Sequence, residues 1–153
     1  EEFKNKILNL PIGPKKNIQI PKKILINKEY MKKCIVGIID TDFSITSSLA
    51  ISGKMNNLLV TKEMHKFFDK NKIKHVYRLY KDYSRFYINK SEAIKIITDW
   101  HLNNPKHISK YKIFNEFKKY LPYTTTPERL ALLDGKLDIN DLEKISKQRS
   151  IIN

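Results

Sequence analysis

The chain has 153 residues, enough for one domain or two closely packed subdomains, and it carries a net charge of +14 with a pI near 9.7. This excess of basic residues indicates an anionic partner, most often nucleic acid, while a basic protein on a membrane surface is the alternative. The sequence has no apolar run that could span a membrane and no recognisable secretion or lipidation signal, so we expect no membrane partner.

The first part of the chain predicts helices followed by one short hairpin. Pro21 suits the start of a helical turn, and Asn27 suits the N-cap of the next helix because its side-chain oxygen can accept a hydrogen bond from a free backbone N–H. Ser47 and Ser48 are expected at the turn of the hairpin. The predicted elements are helices at residues 3–10, 22–26 and 28–40, and a hairpin at residues 43–52.

The rest of the chain predicts a long helix, a second pair of strands and several further helices. A core-facing stripe at helical spacing is predicted, consisting of Val60, Met64, Phe67 and Phe68. Ser91 is expected to cap the helix after the strands, and Pro105 is expected to end that helix and start the next one. The predicted elements are a helix at residues 55–70, strands at 73–80 and 84–89, and C-terminal helices near 128–133 and 140–147.

This order of elements indicates an α+β fold with an antiparallel sheet, because pairs of strands alternate with helices. We expect an N-terminal helix and linker at residues 1–29, a central domain at 30–122 and a C-terminal helical tail at 123–153. The tail is more acidic than the rest of the chain, and we expect it either to pack on the core or to be partly mobile.

Two aspartates, Asp40 and Asp42, directly follow an apolar run. Isoleucine and valine favour strands, so one interpretation is a buried strand that ends in a turn. The alternative is the helix capped by Asn27, which would place both carboxylates at its C-terminal end, where the helix dipole disfavours negative charge and a divalent cation would supply the counter-charge. In a helix, Gly37 and Thr41 would form a small face that lets a second helix approach closely.

Residues 35–43, with the sequence IVGIIDTDF, resemble the LAGLIDADG motif of homing endonucleases. Phe43 departs from the glycine that ends the motif. The segments NNPKHISKYKIF and PYTTTPERLALLDGKLD are similar to segments found late in such domains, especially in archaeal and intein-embedded members, and the resemblance covers roughly residues 20–137. The identical motif residues are Gly37, Ile39, Asp40 and Asp42.

The resemblance implies an αββαββα fold with a saddle-shaped sheet, and an active site shared between two motif helices. Because the chain carries one motif, it also implies a homodimer or a second domain of the same family. Asp42, with the neighbouring Thr41, matches the position that binds Mg²⁺ or Mn²⁺, and Asp40 is the second catalytic candidate, expected to order the helix end. The implied reaction is metal-dependent hydrolysis of both strands of a near-palindromic double-stranded DNA site. The implied dimer interface consists of Cys34, Gly37, Ile38 and Thr41.

A basic residue is expected near the attacked phosphate, and Lys110 is the catalytic candidate. Lys106 and Lys110 are four residues apart, so they share one face of the predicted helix. Lys106 lies close to the helix N-terminus, where the dipole disfavours a cation and a nearby phosphate would offset this effect. The alternative is a solvated lysine-rich face.

Alternation along the second pair of strands predicts a basic face with interleaved aromatic residues. A two-stranded ribbon fits the major groove of DNA, where arginine can bind guanine. The alternative is an exposed hairpin stabilised by cation–π pairs across the strands. Lys54 in the first hairpin and Lys106 add to the predicted nucleic-acid contacts. The predicted face consists of Lys74, Arg78, Tyr80, Arg85 and Tyr87.

A relative that binds nucleic acid without cutting it is the second functional prediction, either a maturase on intron RNA or a DNA-binding regulator. Phe43 and the short hairpins favour this alternative, whereas the presence of both Asp40 and Asp42 favours cleavage. The endonuclease part of an intein is a third possibility, and an initial Glu1 in place of methionine is compatible with a piece of a longer protein.

Cysteine and histidine positions predict no transition-metal site. The single Cys34 cannot form a disulfide within the chain, which fits a reducing compartment such as the cytoplasm or the interior of an organelle. Without a pair of cysteines a structural zinc site is not expected. The histidines do not share a metal-ligand spacing and are expected to be structural or exposed. They are His65, His75, His101 and His107.

Overall fold

The computed structural model describes residues 18–46 and 48–152, so the predicted helix at residues 3–10 and the turn residue Ser47 lie outside the described part. Within that part the chain forms seven helices and one four-stranded antiparallel sheet, which confirms the α+β prediction. The helices are α1 (Lys22–Leu25), α2 (Lys28–Asp42), α3 (Leu58–Lys70), α4 (Lys90–Asp99), α5 (Pro105–Phe117), α6 (Thr126–Leu133) and α7 (Ile139–Ile152). The strands are β1 (Phe43–Ile45), β2 (Ile51–Met55), β3 (His75–Leu79) and β4 (Ser84–Ile88).

Asparagine side chains set the starts of most of the longer helices. The Asn27 side chain accepts hydrogen bonds from the backbone N–H groups of Glu29 and Tyr30, as predicted. The prediction that Ser91 caps α4 is wrong, because Asn89 is the N-cap and Ser91 lies in the first turn, where its hydroxyl donates to the Asn89 side chain.

Several predicted boundaries also differ from the structure by a few residues, and two of these differences have local causes. The helix predicted at residues 55–70 begins at Leu58 because Asn57 caps it, and Met55 instead belongs to β2, where it pairs with Ser84. Helix α2 continues two residues beyond the predicted end and includes Asp42. The apolar run before the aspartates is therefore helical, not extended.

The sheet has the strand order β1-β2-β4-β3, with one face packed against helices and the other face left uncovered by the residues that the structure describes. Burial in β4 alternates as predicted, with Phe86 and Ile88 inside and Arg85 and Tyr87 exposed. The inner face and helices α2, α3 and α4 form the main core. Its fully buried members include Ile35 and Ile39 of α2, Met64 and Phe68 of α3, and Ile96 of α4.

Phe43, the residue directly after Asp42, belongs to this core. It pairs with Gly53 across β1 and β2 and is only 1% exposed, and its ring centroid lies 6.1 Å from that of Phe86. A side chain at position 53 would collide with the Phe43 ring, so the glycine makes room for the aromatic residue. Phe43 therefore points away from the exposed end of α2.

The predicted C-terminal tail packs against α5 around a second, smaller core. Ile113 and Leu121 meet Leu132 and Leu142 there, so α5 contributes to both cores. Glu128 and Arg149 form an ion pair at 2.7 Å that holds α6 to α7. Among the described residues, no helix combines the length and the apolarity needed to cross a bilayer.

Candidate active site and nucleic-acid interface

Asp42 is the last residue of α2 and is exposed to solvent. Its carboxylate Oδ2 lies 3.1 Å from the Thr41 hydroxyl, which also lies 3.0 Å from the carbonyl oxygen of Gly37. The last turn of α2 has no basic residue, so the carboxylate faces the negative end of the helix dipole without local compensation. Such a position favours binding of a cation.

Asp40 has different surroundings from Asp42, although the two residues are close in sequence. Its Oδ2 accepts a hydrogen bond from the Asn103 backbone N–H at 3.0 Å, and its carbonyl oxygen accepts one from the Asn104 side chain. Asn104 is also the N-cap of α5. Asp40 therefore connects the end of α2 to the start of α5, and Asp42 is the carboxylate open to a ligand.

A wide, mostly apolar groove runs along α2 and ends at Asp42. Its volume is about 1060 Å³, and Ile20, Ile24, Met55 and Val60 form much of its apolar wall. At Gly37 an added Cβ would meet nothing within 4 Å, so this face of α2 is open within the described chain. All four residues predicted for a dimer interface line the groove. They are Cys34, Gly37, Ile38 and Thr41.

Two lysines of α5 reach the strand that directly follows Asp42. The Lys106 Nζ lies 3.4 Å from the Ser44 hydroxyl, and the Lys110 Nζ donates to the Ile45 carbonyl oxygen at 3.1 Å. Burial lowers the pKa of Lys110, and the charges of Arg129 and Lys106 lower it further. The structure thus brings both predicted lysines to β1, with Lys110 partly buried and Lys106 exposed.

His107 is buried behind the end of α2. Its Nε2 lies 3.2 Å from the Ile39 carbonyl oxygen, so this nitrogen carries the proton and donates. Burial lowers the pKa of His107, and the charge of Lys106 acts in the same direction. His107 is therefore a neutral structural residue that supports the helix end.

The open face of the sheet carries a row of three cations, one from each of three neighbouring strands. Lys54 of β2 is paired with Arg85 of β4, and Arg85 is paired with Arg78 of β3. All three side chains are exposed. Lys74 and Tyr87 are exposed on the same side of the hairpin, as predicted from strand alternation. The row combines residues that the sequence analysis placed in two separate hairpins.

Tyr83, which was not among the residues predicted for this face, contacts two of the three cations, Lys54 and Arg85. The Lys54 Nζ lies 4.1 Å and the Arg85 Cζ 5.8 Å from its ring centroid, and Tyr80 stacks on it at 4.5 Å. Cation–π contacts at exposed sites contribute about 0.5–1 kcal/mol, so they position the cations without neutralising them. Arg85 thus belongs both to the predicted basic face and to a cation–π contact, but its aromatic partner Tyr83 lies outside the predicted set.

Two of the histidines that were expected to lack metal-ligand partners come together with an aspartate. His65 and Asp69 lie one turn apart on α3, and His75 begins β3, and ligand atoms from all three lie within 4.8 Å of one another. The sequence signal was the i, i+4 spacing of His65 and Asp69, but the third member depends on how α3 packs on β3.

No protein-family model matches the chain, and no curated protein sequence matches it. Inferences about function therefore depend on the chain's own residues and their geometry.

Proposed function

We propose that the chain is one half of a site-specific double-stranded DNA endonuclease of the LAGLIDADG type, which acts as a homodimer. Support for this fold comes from the element order α2-β1-β2-α3-β3-β4-α4, with an antiparallel sheet that leaves one face free for DNA. The net charge of +14 supports a nucleic-acid partner.

The observation that carries the proposal is that the exposed Asp42 lies at the end of a helix face without a partner inside the described chain. Cys34, Gly37 and Thr41 line the groove beside it, and Gly37 leaves room for a second backbone. If the same face of a second copy packs there about a two-fold axis, the two Asp42 carboxylates meet at the end of the helix pair. One chain then supplies half of a site and half of a near-palindromic DNA contact.

The donor atoms at this end of α2 suit Mg²⁺, or Mn²⁺ in its place. Mg²⁺ prefers hard oxygen ligands and is commonly held by one or two carboxylates together with waters and substrate phosphates. Asp42 offers an exposed carboxylate with the Thr41 hydroxyl 3.1 Å away, and the second copy would offer the same pair. When bound, the ion supplies Lewis-acid assistance to the hydrolysis of a phosphodiester.

The protein's own residues bind and orient the DNA around this site. Lys54, Arg78 and Arg85 form a positive surface across the sheet that suits a phosphate backbone or a guanine edge in the major groove. Lys106 and Lys110 contribute positive charge along β1, close in sequence to Asp42. Asp40 acts as a positioning residue, because its contacts to Asn103 and Asn104 hold the helix end.

A nucleic-acid-binding protein that does not cut, on DNA or on intron RNA, is the second candidate. The observation that favours it is the short first hairpin, in which β1 has three residues and offers a small recognition surface. Phe43 no longer favours this candidate, because its side chain is buried in the core and leaves the space around Asp42 free.

The test is cleavage of a randomised library of DNA duplexes in the presence of Mg²⁺, with sequencing of the cut ends. We expect both strands to be cut at one near-palindromic motif. The Asp42→Asn variant should bind the selected motif with unchanged affinity and leave it intact. Binding of a motif without cutting by the wild-type protein would select the second candidate, and equal cutting by the variant would remove Asp42 from the mechanism.

A further inference from the structure

A second cluster of side chains that could bind a metal lies between α3 and β3, apart from the groove at Asp42. His65 Nδ1 lies 2.8 Å from His75 Nε2, His65 Nε2 lies 3.5 Å from Asp69 Oδ2, and His75 Nε2 lies 3.9 Å from Asp69 Oδ1. The His75 side chain is only 3% exposed, whereas that of Asp69 is 62% exposed. The cluster therefore has a buried inner member and an outer member open to solvent.

The orientation of His75 is set by the backbone. Its Nδ1 lies 2.8 Å from the Ile73 carbonyl oxygen, and a carbonyl only accepts, so Nδ1 carries a proton. In the neutral ring the Nε2 lone pair then points at His65. A histidine whose second ring nitrogen donates to a backbone carbonyl is the usual arrangement for a histidine that binds a metal through the other nitrogen.

Hydrogen bonds within the protein satisfy this cluster only when both ring nitrogens of His65 carry a proton. Since His75 Nε2 is an acceptor, His65 Nδ1 must be the donor between the two rings. A neutral His65 would then turn the lone pair of its Nε2 toward the Asp69 carboxylate, so two acceptors would face each other. A second proton on His65 would remove the conflict. A divalent cation removes it without that proton, because it binds the lone pairs of His65 Nδ1 and His75 Nε2 together with a carboxylate oxygen of Asp69, and His65 Nε2 can then donate to Asp69.

We propose that His65, Asp69 and His75 form a binding site for a first-row divalent transition metal, with Zn²⁺ as the ion. Two imidazoles and one carboxylate are a ligand set that suits Zn²⁺, in contrast to the oxygen ligands that suit Mg²⁺ at Asp42. Zn–N bonds of 2.0–2.1 Å in a tetrahedral site place two nitrogens about 3.3 Å apart, so the two rings need to separate by about half an ångström. Three protein ligands leave one position for water.

Such an ion would link α3 to β3 on the inner side of the sheet, opposite the exposed cations. His75 and Tyr77 lie on the inner side of β3, where Tyr77 stacks on His65 with ring centroids 4.5 Å apart, while Arg78 lies on the exposed side. The metal would thus stabilise the strand that presents one of the three cations of the sheet. This stabilisation does not depend on whether the protein cuts DNA.

The test is titration of the metal-free full chain with ZnCl₂ by isothermal calorimetry, with Co²⁺ as a spectroscopic substitute. We expect one ion per chain and the absorption of tetrahedral Co²⁺. Asp69→Asn should weaken Zn²⁺ binding about tenfold or more, and His75→Ala should weaken it further. Because the Asp69 side chain is largely exposed, its variant keeps the test valid even if His75→Ala does not fold.

Two further variants serve as controls. His101 is exposed and has a positive φ of 58°, which asparagine tolerates, so His101→Asn should leave Zn²⁺ affinity unchanged. Asp42→Asn should also leave it unchanged, which separates this site from the proposed Mg²⁺ site. Absence of stoichiometric binding, or equal Zn²⁺ affinity in wild type, Asp69→Asn and His75→Ala, would overturn the proposal.

Discussion

Replacement of the three cations in the sheet row should change the salt dependence of DNA binding by a calculable amount. Lys54, Arg78 and Arg85 lie in one register row, and Lys74 is exposed further along the same side of the hairpin, so each chain offers these four exposed cations. If each neutralises one phosphate, a dimer releases the counterions of eight phosphates, and log K should fall against log salt with a slope of about −7. The triple alanine variant removes six of these contacts per dimer, which reduces the slope by about 5.

The assay is fluorescence anisotropy of a labelled duplex titrated with protein over a series of salt concentrations. A matched control removes three lysines from helices that lie away from the open sheet face, by substitution of Lys62, Lys95 and Lys144 with alanine. This control has the same loss of net charge and should change the slope by less than about 1. Equal slopes for wild type and the sheet variant, or an equal loss in the control, would refute the placement of DNA on this face.

Three further predictions concern the scaffold. Gly53→Ala should lower the free energy of unfolding in urea by about 1–3 kcal/mol, because the added Cβ collides with the Phe43 ring. The loss should be smaller in a Phe43→Leu background, and an equal loss in both backgrounds would contradict the collision. The pKa of His107 in the folded protein is below its ordinary value of 6.5, so at acidic pH the unfolded chain binds more protons than the folded one. The free energy of unfolding should therefore fall as the pH drops below about 6.5. The His107→Gln variant should lose this part of the pH dependence. The ion pair with Arg149 lowers the pKa of Glu128 to about 2. The stabilisation from this pair is therefore present above pH 4.5 and should be lost as the pH falls toward 2. The Glu128→Gln variant should be less stable by about 1 kcal/mol at neutral pH, and its stability should lack this loss in acid.

Features that depend on neighbouring residues in sequence could be predicted from the sequence. The side-chain oxygen of Asn27 caps α2 because the cap requires only the next few residues, and the exposure of Arg85 and Tyr87 follows from strand alternation. Gly37 and Thr41 could likewise be predicted to share one helix face, because they lie four residues apart in the same helix.

Features that depend on packing between distant elements could not be predicted. The different surroundings of Asp40 and Asp42 arise in part from a hydrogen bond between Asp40 and Asn103, which lies 63 residues away in sequence. The approach of His75 to His65 requires the docking of β3 on α3. In both cases the contacting residues are distant in sequence, so the local sequence around one residue gives no information about which residue it contacts in the folded chain.

Oxidative cross-linking at position 37 tests the proposed shared active site most directly. In a Cys34→Ser background, Gly37→Cys places a single small thiol at the open face of α2, and two such faces that cross at a two-fold axis bring the Cα atoms within the 4.4–6.8 Å range that a disulfide requires. Lys136→Cys in the same background is the control for random oxidation. The account predicts a covalent dimer for position 37 and a monomer for position 136 on a non-reducing gel. A monomer at both positions would contradict the proposed pairing of two copies through α2.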